Sequence, residues 1–348
     1  MKYEPQAPSF LGPRTSYPSQ LTGPESGAYY TAPTPMKYLA GRLLQSLFTL
    51  ILFMVVIFVA TRAAGDPATL SLPPTASPEE IEVARHQFGT DKPYTEQFTI
   101  FLRDMATLNF GRSVVYKEPV TKLVGNRLVA SVSLAFTAIV MVLLTAIPLG
   151  VLAARNRRRM PDRVVRSVAA FGQSAPGFWV GLMLIQLFAV RLRLFPAGGA
   201  GGEESMSPEF YVLPAVTIAL PLFAGMTRLL RSSMLEHLDA EFVKLARAKG
   251  LPEMRVVWVH VLRNAMLPML TIMALWVGTA VAGSVVAETV FNWPGIGSLF
   301  LGAILARDFP VIQAIVGLLG ATVLLANLAA DMLYAVVDPR IRIGAGAR

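Results

Sequence analysis

Six apolar runs dominate this chain, at about residues 43–61, 128–154, 167–190, 210–227, 264–287 and 309–330. Each is near or above the ~20 residues of helix needed to cross ~30 Å of hydrocarbon. A backbone in lipid has no water to satisfy it, so runs of this kind must be helices. The fourth run is the shortest and contains Pro214 and Pro221, which leaves its ends open. Composition agrees: 54% of the 348 residues are hydrophobic and 15% are charged, against roughly 25% charged in an average soluble domain. The expected fold is an all-α integral membrane protein, a bundle of six spans.

Lys and Arg set the orientation. The segments placed inside hold Lys2, Arg14, Lys37 and Arg42, then Arg155, Arg157, Arg158, Arg159, Arg163 and Arg166, then a group from Arg228 to Arg263. The short outer segments hold Arg191, Arg193 and Arg307, diluted by Glu203, Glu204, Glu209 and Asp308. Short loops rich in Lys and Arg stay cytoplasmic, so both termini are expected inside a bacterial cytoplasmic membrane. The net charge of +9 then reflects topology. Basic residues spread over inner loops, with little aromatic interleaving, argue against nucleic acid as a partner.

Several function classes are excluded or disfavoured. The chain has no cysteine, hence no disulfide, thiol nucleophile or cysteine metal site. Its histidines, His86, His237 and His260, lie outside the spans, which disfavours an intramembrane hydrolase or a metal site. No charge stands well inside a span in this reading, and no inverted repeat is visible, which disfavours an ion-coupled secondary transporter. A Gly-x-x-x-x-Gly-Lys-Ser/Thr phosphate loop is missing, so ATP hydrolysis is not expected of this chain. A membrane protein that only binds or scaffolds remains a further alternative.

Between the spans the chain divides further. Residues 1–36 are rich in Pro, Ser, Gly, Thr and Tyr without apolar periodicity and read as a disordered cytoplasmic tail. The membrane-spanning body runs over 37–342, with an outer region at 62–127, a charged inner loop at 228–263 and a short inner tail at 343–348. In the outer region, Ser77-Pro-Glu-Glu80 reads as a capping box with Pro78 at the first helical position. Ile81, Ala84 and Phe88 share a face of that helix and Gly89 ends it. Tyr94, Phe98, Phe101, Leu102 and Met105 predict a second amphipathic helix, connecting spans or meeting an outside protein.

The inner loop reads as two helices around a stop. Asp239 is placed to cap a helix over 240–249, with Glu241 near its positive end and Arg247 and Lys249 near its negative end. Gly250 suits the left-handed closing position, with Leu251 folding back on Leu245 or Ala246. Pro252 and Glu253 open a second helix leading to the fifth run. The small residues Ala246 and Ala248 allow close approach of another surface; Phe242, Lys244 and Leu245 add grip and charge. A capped, basic helix is also what any cytoplasmic connector can be.

Leu245-Ala-Arg-Ala-Lys-Gly-Leu251, followed by His260-Val-Leu-Arg-Asn-Ala-Met-Leu-Pro268, resembles the cytoplasmic loop of binding-protein-dependent ABC importer permeases, in detail the dipeptide/oligopeptide branch. Phe110-Gly-Arg-Ser113, Phe171-Gly-Gln-Ser-Ala-Pro-Gly-Phe-Trp179 and Glu288-Thr-Val-Phe-Asn-Trp-Pro-Gly-Ile-Gly297 carry the likeness in family order, from about Tyr38 to Arg342. Two departures stand out: Lys244 where the wider superfamily has Glu, and Val129-Ala-Ser-Val-Ser133 at the start of the second span.

The resemblance implies the fold of a type I ABC importer permease and the role of the first, B-type, permease subunit for short peptides. Glutathione, a nickel chelate or an oligosaccharide are its alternative solutes. It implies a second permease subunit, two ATPase subunits that bind ATP and Mg, and an extracytoplasmic binding protein; this chain itself would bind no cofactor. The ATPase-coupling residues would be Glu241, Lys244, Leu245, Ala246, Arg247, Ala248, Lys249, Gly250 and Leu251. The pathway and its gate would involve Gln173, Ser174, Pro176, Thr279, Ser284, Glu288, Trp293, Gln313 and Asn327, against the plainer reading that polar groups in spans join helices. Trp293 is also readable as an interfacial anchor.

Overall fold

The computed structural model describes residues 35–63, 65–70, 72, 75–200 and 207–337. The expected tail at 1–36 lies outside the described residues except for its last two, as does the inner tail at 343–348. The side chains of 277–283, including Thr279, Gly278, Ala282 and Gly283, also lie outside them, as does that of Asp331.

The chain is helical. In order come α1 (Pro35–Ala63), α2 (Pro78–Phe88), α3 (Tyr94–Thr107), α4 (Val120–Arg155), α5 (Met160–Ser174), α6 (Gly177–Leu184), which continues as a π-helical stretch Ile185–Arg191, and α7 (Pro208–Leu238). Then follow α8 (Glu241–Ala248), α9 (Glu253–Arg255, the π-helical stretch Val256–Val261 and Leu262–Ala265), α10 (Leu267–Val290), α11 (Ile296–Leu305) and α12 (Phe309–Val337). Among the described residues the only extended pairing is an isolated bridge between Arg112 and Pro119.

Among the described residues, four helices are long and apolar enough to cross a membrane: Gly41–Ala63, Val120–Arg155, Pro208–Leu238 and Phe309–Ala329. α10, at 24 residues, has the length of another crossing. The third apolar run is not one helix. α5 and the helix after it meet at 111°, because Pro176 pushes the preceding Ala175 out of the helical region, to ψ 130°. α7, by contrast, runs unbroken through Pro214 and Pro221 for 31 residues.

α4 and α7 form the central pair. Gly150 of α4 lets Leu230 of α7 approach so closely that a Cβ there would lie 2.9 Å from a Leu230 methyl. Ala138, Ala146, Phe223, Met226, Leu230 and Met234 are buried in the core around this contact. At one end of the bundle, Arg231 of α7 grips Asp162 of α5. At the other, Gly199 N–H donates to the Phe291 carbonyl at 2.8 Å, and Gly181 lies against Val290 and Phe291. The broken segment therefore reaches both ends, in two pieces.

The expected outer helices form as read. Ser77 and Glu80 complete the capping box, and Gly89 closes α2 at φ 64°. α3 rests on α1 through Phe98 and Phe101, whose ring centroids lie 5.3 and 5.9 Å from that of Phe58. Arg62 Nε donates to Gln97 Oε1 at 2.7 Å and ties the same pair.

Candidate functional site

Two constellations stand at opposite ends of the bundle. The first is α8. Val243 and Ala246 face inward and are buried, while Phe242 and Leu245 are exposed, Leu245 by 57%. A short helix that is apolar on both faces, with one face already packed, has a surface left to cover.

What holds α8 is the turn after it. Gly250 takes φ 76° with no atom near a would-be Cβ, so its need for glycine is conformational and not spatial. Leu251 N–H donates to the Ala246 carbonyl and Gly250 N–H to that of Arg247, while the Leu251 side chain packs on the core. Across this turn Arg247 makes two hydrogen bonds to Glu253, at 2.8 and 3.1 Å. The paired guanidinium holds the Glu253 carboxyl below its usual range. Lys244 pairs with Glu241 at 2.7 Å, and Ala248 and Lys249 are exposed.

Two expectations are corrected here. Asp239 ends α7 instead of capping α8; the cap position is Ala240, without a side-chain hydrogen bond, and α8 spans Glu241–Ala248. Ala246 packs inward, so it does not offer its small size to another surface.

The second constellation surrounds Glu288, read from the sequence as following the fifth span. It lies in the last turn of α10 and is fully buried, at the end of that helix and not well inside it. Its Oε1 accepts from Ser131 at 2.6 Å and from Ser284 at 2.7 Å. Oε2 accepts from the backbone N–H of Gly297 at 2.6 Å and of Ser298 at 3.4 Å. Those amides open α11, whose positive end faces the carboxylate. Ser131 Oγ in turn accepts from Ile296 N–H at 2.8 Å. One carboxylate thus joins α4, α10 and α11.

Gly295 and Gly297 make room for it: a Cβ at Gly295 would lie 2.3 Å from Oε2. Trp293 is fully buried, donates from Nε1 to the Ala130 carbonyl at 3.1 Å and sits edge-on to Tyr211, 4.6 Å between centroids. It is not an interfacial anchor. Nearby, buried Asp308 receives the Ser113 hydroxyl and the amides of Val114 and Val115, and fixes the 113–116 turn onto the start of α12.

Among the described residues, the remaining expected pathway residues do not converge. Gln173, Ser174 and Pro176 are exposed at the α5–α6 break. Gln313 donates to Thr61 at 3.3 Å in the α1–α12 contact. Asn327 is exposed on α12. Sequence reasoning missed Ser131 as the partner of Glu288; the available signal was a lone Glu nine residues before Gly297, with Ser131 and Ser133 at the start of the second apolar run.

Residues 146–343 match the family model described as binding-protein-dependent transport system inner membrane component, and residues 35–135 match the model of its N-terminal part. The chain is 38% identical over 308 residues to the glutathione transport system permease protein GsiC of Escherichia coli strain K12, covering 88% of this chain and 99% of that one. It is 38% identical over 314 residues to the oligopeptide transport system permease protein AppB of Bacillus subtilis strain 168, covering 87% and 98%. Among solved structures, an inward-facing form of the MetNI methionine ABC transporter superposes with TM-score 0.52 at 17% identity, covering 63% of this chain and 97% of that one. That likeness concerns the fold alone.

Proposed function

The chain belongs to the family of binding-protein-dependent transport system inner membrane components, as a permease subunit of an ABC importer, and on that premise we propose that it carries short peptides, driven through α8 by separate ATPases. The observation that carries the coupling part is the exposed Phe242 and Leu245 on a helix locked to the bundle by Gly250 and by Arg247–Glu253. A nucleotide-driven change in a docked ATPase would move α8 and α9 as one lever, because their angle is held by charge-assisted bonds and not by a free hinge.

ATP can shift the permease only through a differential affinity for its two states, and a rigid connection is what transmits that difference. The pathway reading places the exposed Gln173 and Ser174 at the α5–α6 break toward the solute, with a second permease subunit opposite. The network around Glu288 serves as the rigid frame of the other end, where an external binding protein would deliver the solute. Both termini then face the cytoplasm, in accord with the arginines gathered at the α8 end.

The relatives' names support a peptide-like solute, and glutathione, itself a tripeptide, is the second reading. The deciding experiment is reconstitution in proteoliposomes with a second permease subunit, ATPases and a binding protein. ATP-dependent uptake of labelled di- to pentapeptides is expected to exceed that of glutathione. Uptake of glutathione alone would replace the peptide assignment, and uptake by this chain without a second permease would overturn the assembly.

A further inference from the structure

A basic groove on the α8 end of the bundle is not used by the coupling helix or by the Glu288 frame. It measures about 610 Å³ and is lined by Arg163, Arg166, Ser167 and Ala170 of α5 and by Arg228 and Arg231 of α7. Arg231 is paired locally, by its two bonds to Asp162 at 2.6 and 3.0 Å, and Arg166 is attracted to the same carboxylate without bonding to it. Asp162 is fully buried and also accepts from Arg158 N–H at 2.9 Å, so it is committed to holding α5 on α7. Among the described residues no carboxylate pairs with Arg163, Arg166 or Arg228.

Depth identifies the ligand. From Pro208, where α7 starts, to Arg228 is about 30 Å of helix at 1.5 Å per residue, the thickness of the hydrocarbon layer. With Pro208 at the opposite boundary of the hydrocarbon, these guanidinium groups would stand at the level of the phosphates of one leaflet. The α5 surface beside them is apolar: Val164, Val168 and Phe171 are 45–55% exposed and fall on a helical face flanking the Arg163–Arg166–Ala170 face. A site with unpaired guanidinium groups at headgroup level and a bare apolar stripe alongside matches a molecule with a phosphate and acyl chains.

We propose that this groove binds the phosphate diester headgroup of an acidic lipid in the leaflet facing α8, pinning α5 to α7 at the level of the Asp162–Arg231 pair. The chemistry recognised is a phosphate oxyanion, and free phosphate presents it too, so the test separates the sources. The full chain, purified in mild detergent, is titrated with phosphatidylglycerol, phosphatidylcholine or inorganic phosphate while its thermal unfolding midpoint is followed. Phosphatidylglycerol is expected to raise the midpoint saturably, and phosphatidylcholine and inorganic phosphate are not.

Arg166→Gln/Arg228→Gln is expected to weaken half-saturation by phosphatidylglycerol about twenty-fivefold, from roughly fivefold for each basic residue lost. The charge-matched control Arg157→Gln/Arg159→Gln, outside the groove, is expected to change it by less than about threefold. If the double variant fails to fold, Arg163→Gln alone is expected to weaken half-saturation about fivefold. Equal response of groove and control variants overturns the proposal. So does a shift produced fully by inorganic phosphate with nothing added by the lipid.

Discussion

Ser131 and Glu288 are 157 residues apart in the chain and share a hydrogen bond of 2.6 Å in the buried interior. The Ser131 hydroxyl donates a hydrogen bond to the carboxylate and accepts one from the Ile296 amide, so one side chain links α4, α10 and the first turn of α11. Ser131→Ala is expected to lower stability by about 1–3 kcal/mol, since it removes one bond and leaves the Ile296 amide unpaired. Glu288→Ala should cost more, because Ser131, Ser284 and the Gly297 amide lose their acceptor together. Thermal unfolding of both variants in detergent checks the order; a Glu288→Ala protein as stable as the wild type would remove the frame.

Gly295 supplies a second, sharper test of that frame. Its φ of −104° suits any residue, so the glycine is required only for space beside the Glu288 carboxylate. Gly295→Ala is expected to be destabilising by about 1–3 kcal/mol through overpacking. Combined with Glu288→Ala, which empties that space, the two losses should be clearly less than additive. Additive losses would mean that the methyl collides with something else.

The turn after α8 yields opposite reasoning. Here space is free and φ is positive, so Gly250→Asn should be tolerated and Gly250→Val strained by roughly 1–2 kcal/mol. Arg247→Glu would face Glu253 with a like charge, and Arg247→Glu/Glu253→Arg should restore the pair. Solute-stimulated ATP turnover in the reconstituted complex is the readout: reduced for Gly250→Val and Arg247→Glu, recovered in the swap. The Glu253 carboxyl is held low by its bonds to Arg247. Its contribution is therefore present above its unfolded value of about 4.3 and lost only as pH falls through its lower folded value. Turnover should show no titration from this pair between about pH 6 and 8.

Much of this was legible in the sequence where local rules operate. The Ser77–Glu80 capping box and the left-handed Gly89 and Gly250 follow from short-range hydrogen bonding and backbone sterics. The amphipathic face of α3 announced its packing on Phe58 in the same way. The break at Ala175–Pro176 was written in the residue before the proline, but the apolar stretches on either side of it read together as one run over 167–190. Pro214 and Pro221 carried the same local signal, yet α7 stays continuous, so hydropathy and proline together do not decide between a break and a tolerated kink. Ser131, Glu288, Asp308 and Ser113 could not be paired from periodicity, since their partners lie 157 and 195 positions away.

The chain contains no cysteine, so a single introduced thiol reports on one place without a background. Ser174 is exposed at the α5–α6 break, where the pathway reading needs solvent in one transport state and not in the other. Gln313 is bonded to Thr61 between α1 and α12, where the same reading needs no change. With the partner subunits present, Ser174→Cys is expected to react with a hydrophilic maleimide at rates that differ severalfold between nucleotide-free and vanadate-trapped complexes. Gln313→Cys is expected to react slowly and equally in both. A Ser174→Cys rate that ignores nucleotide would move that break out of the pathway and onto a static surface of the assembly.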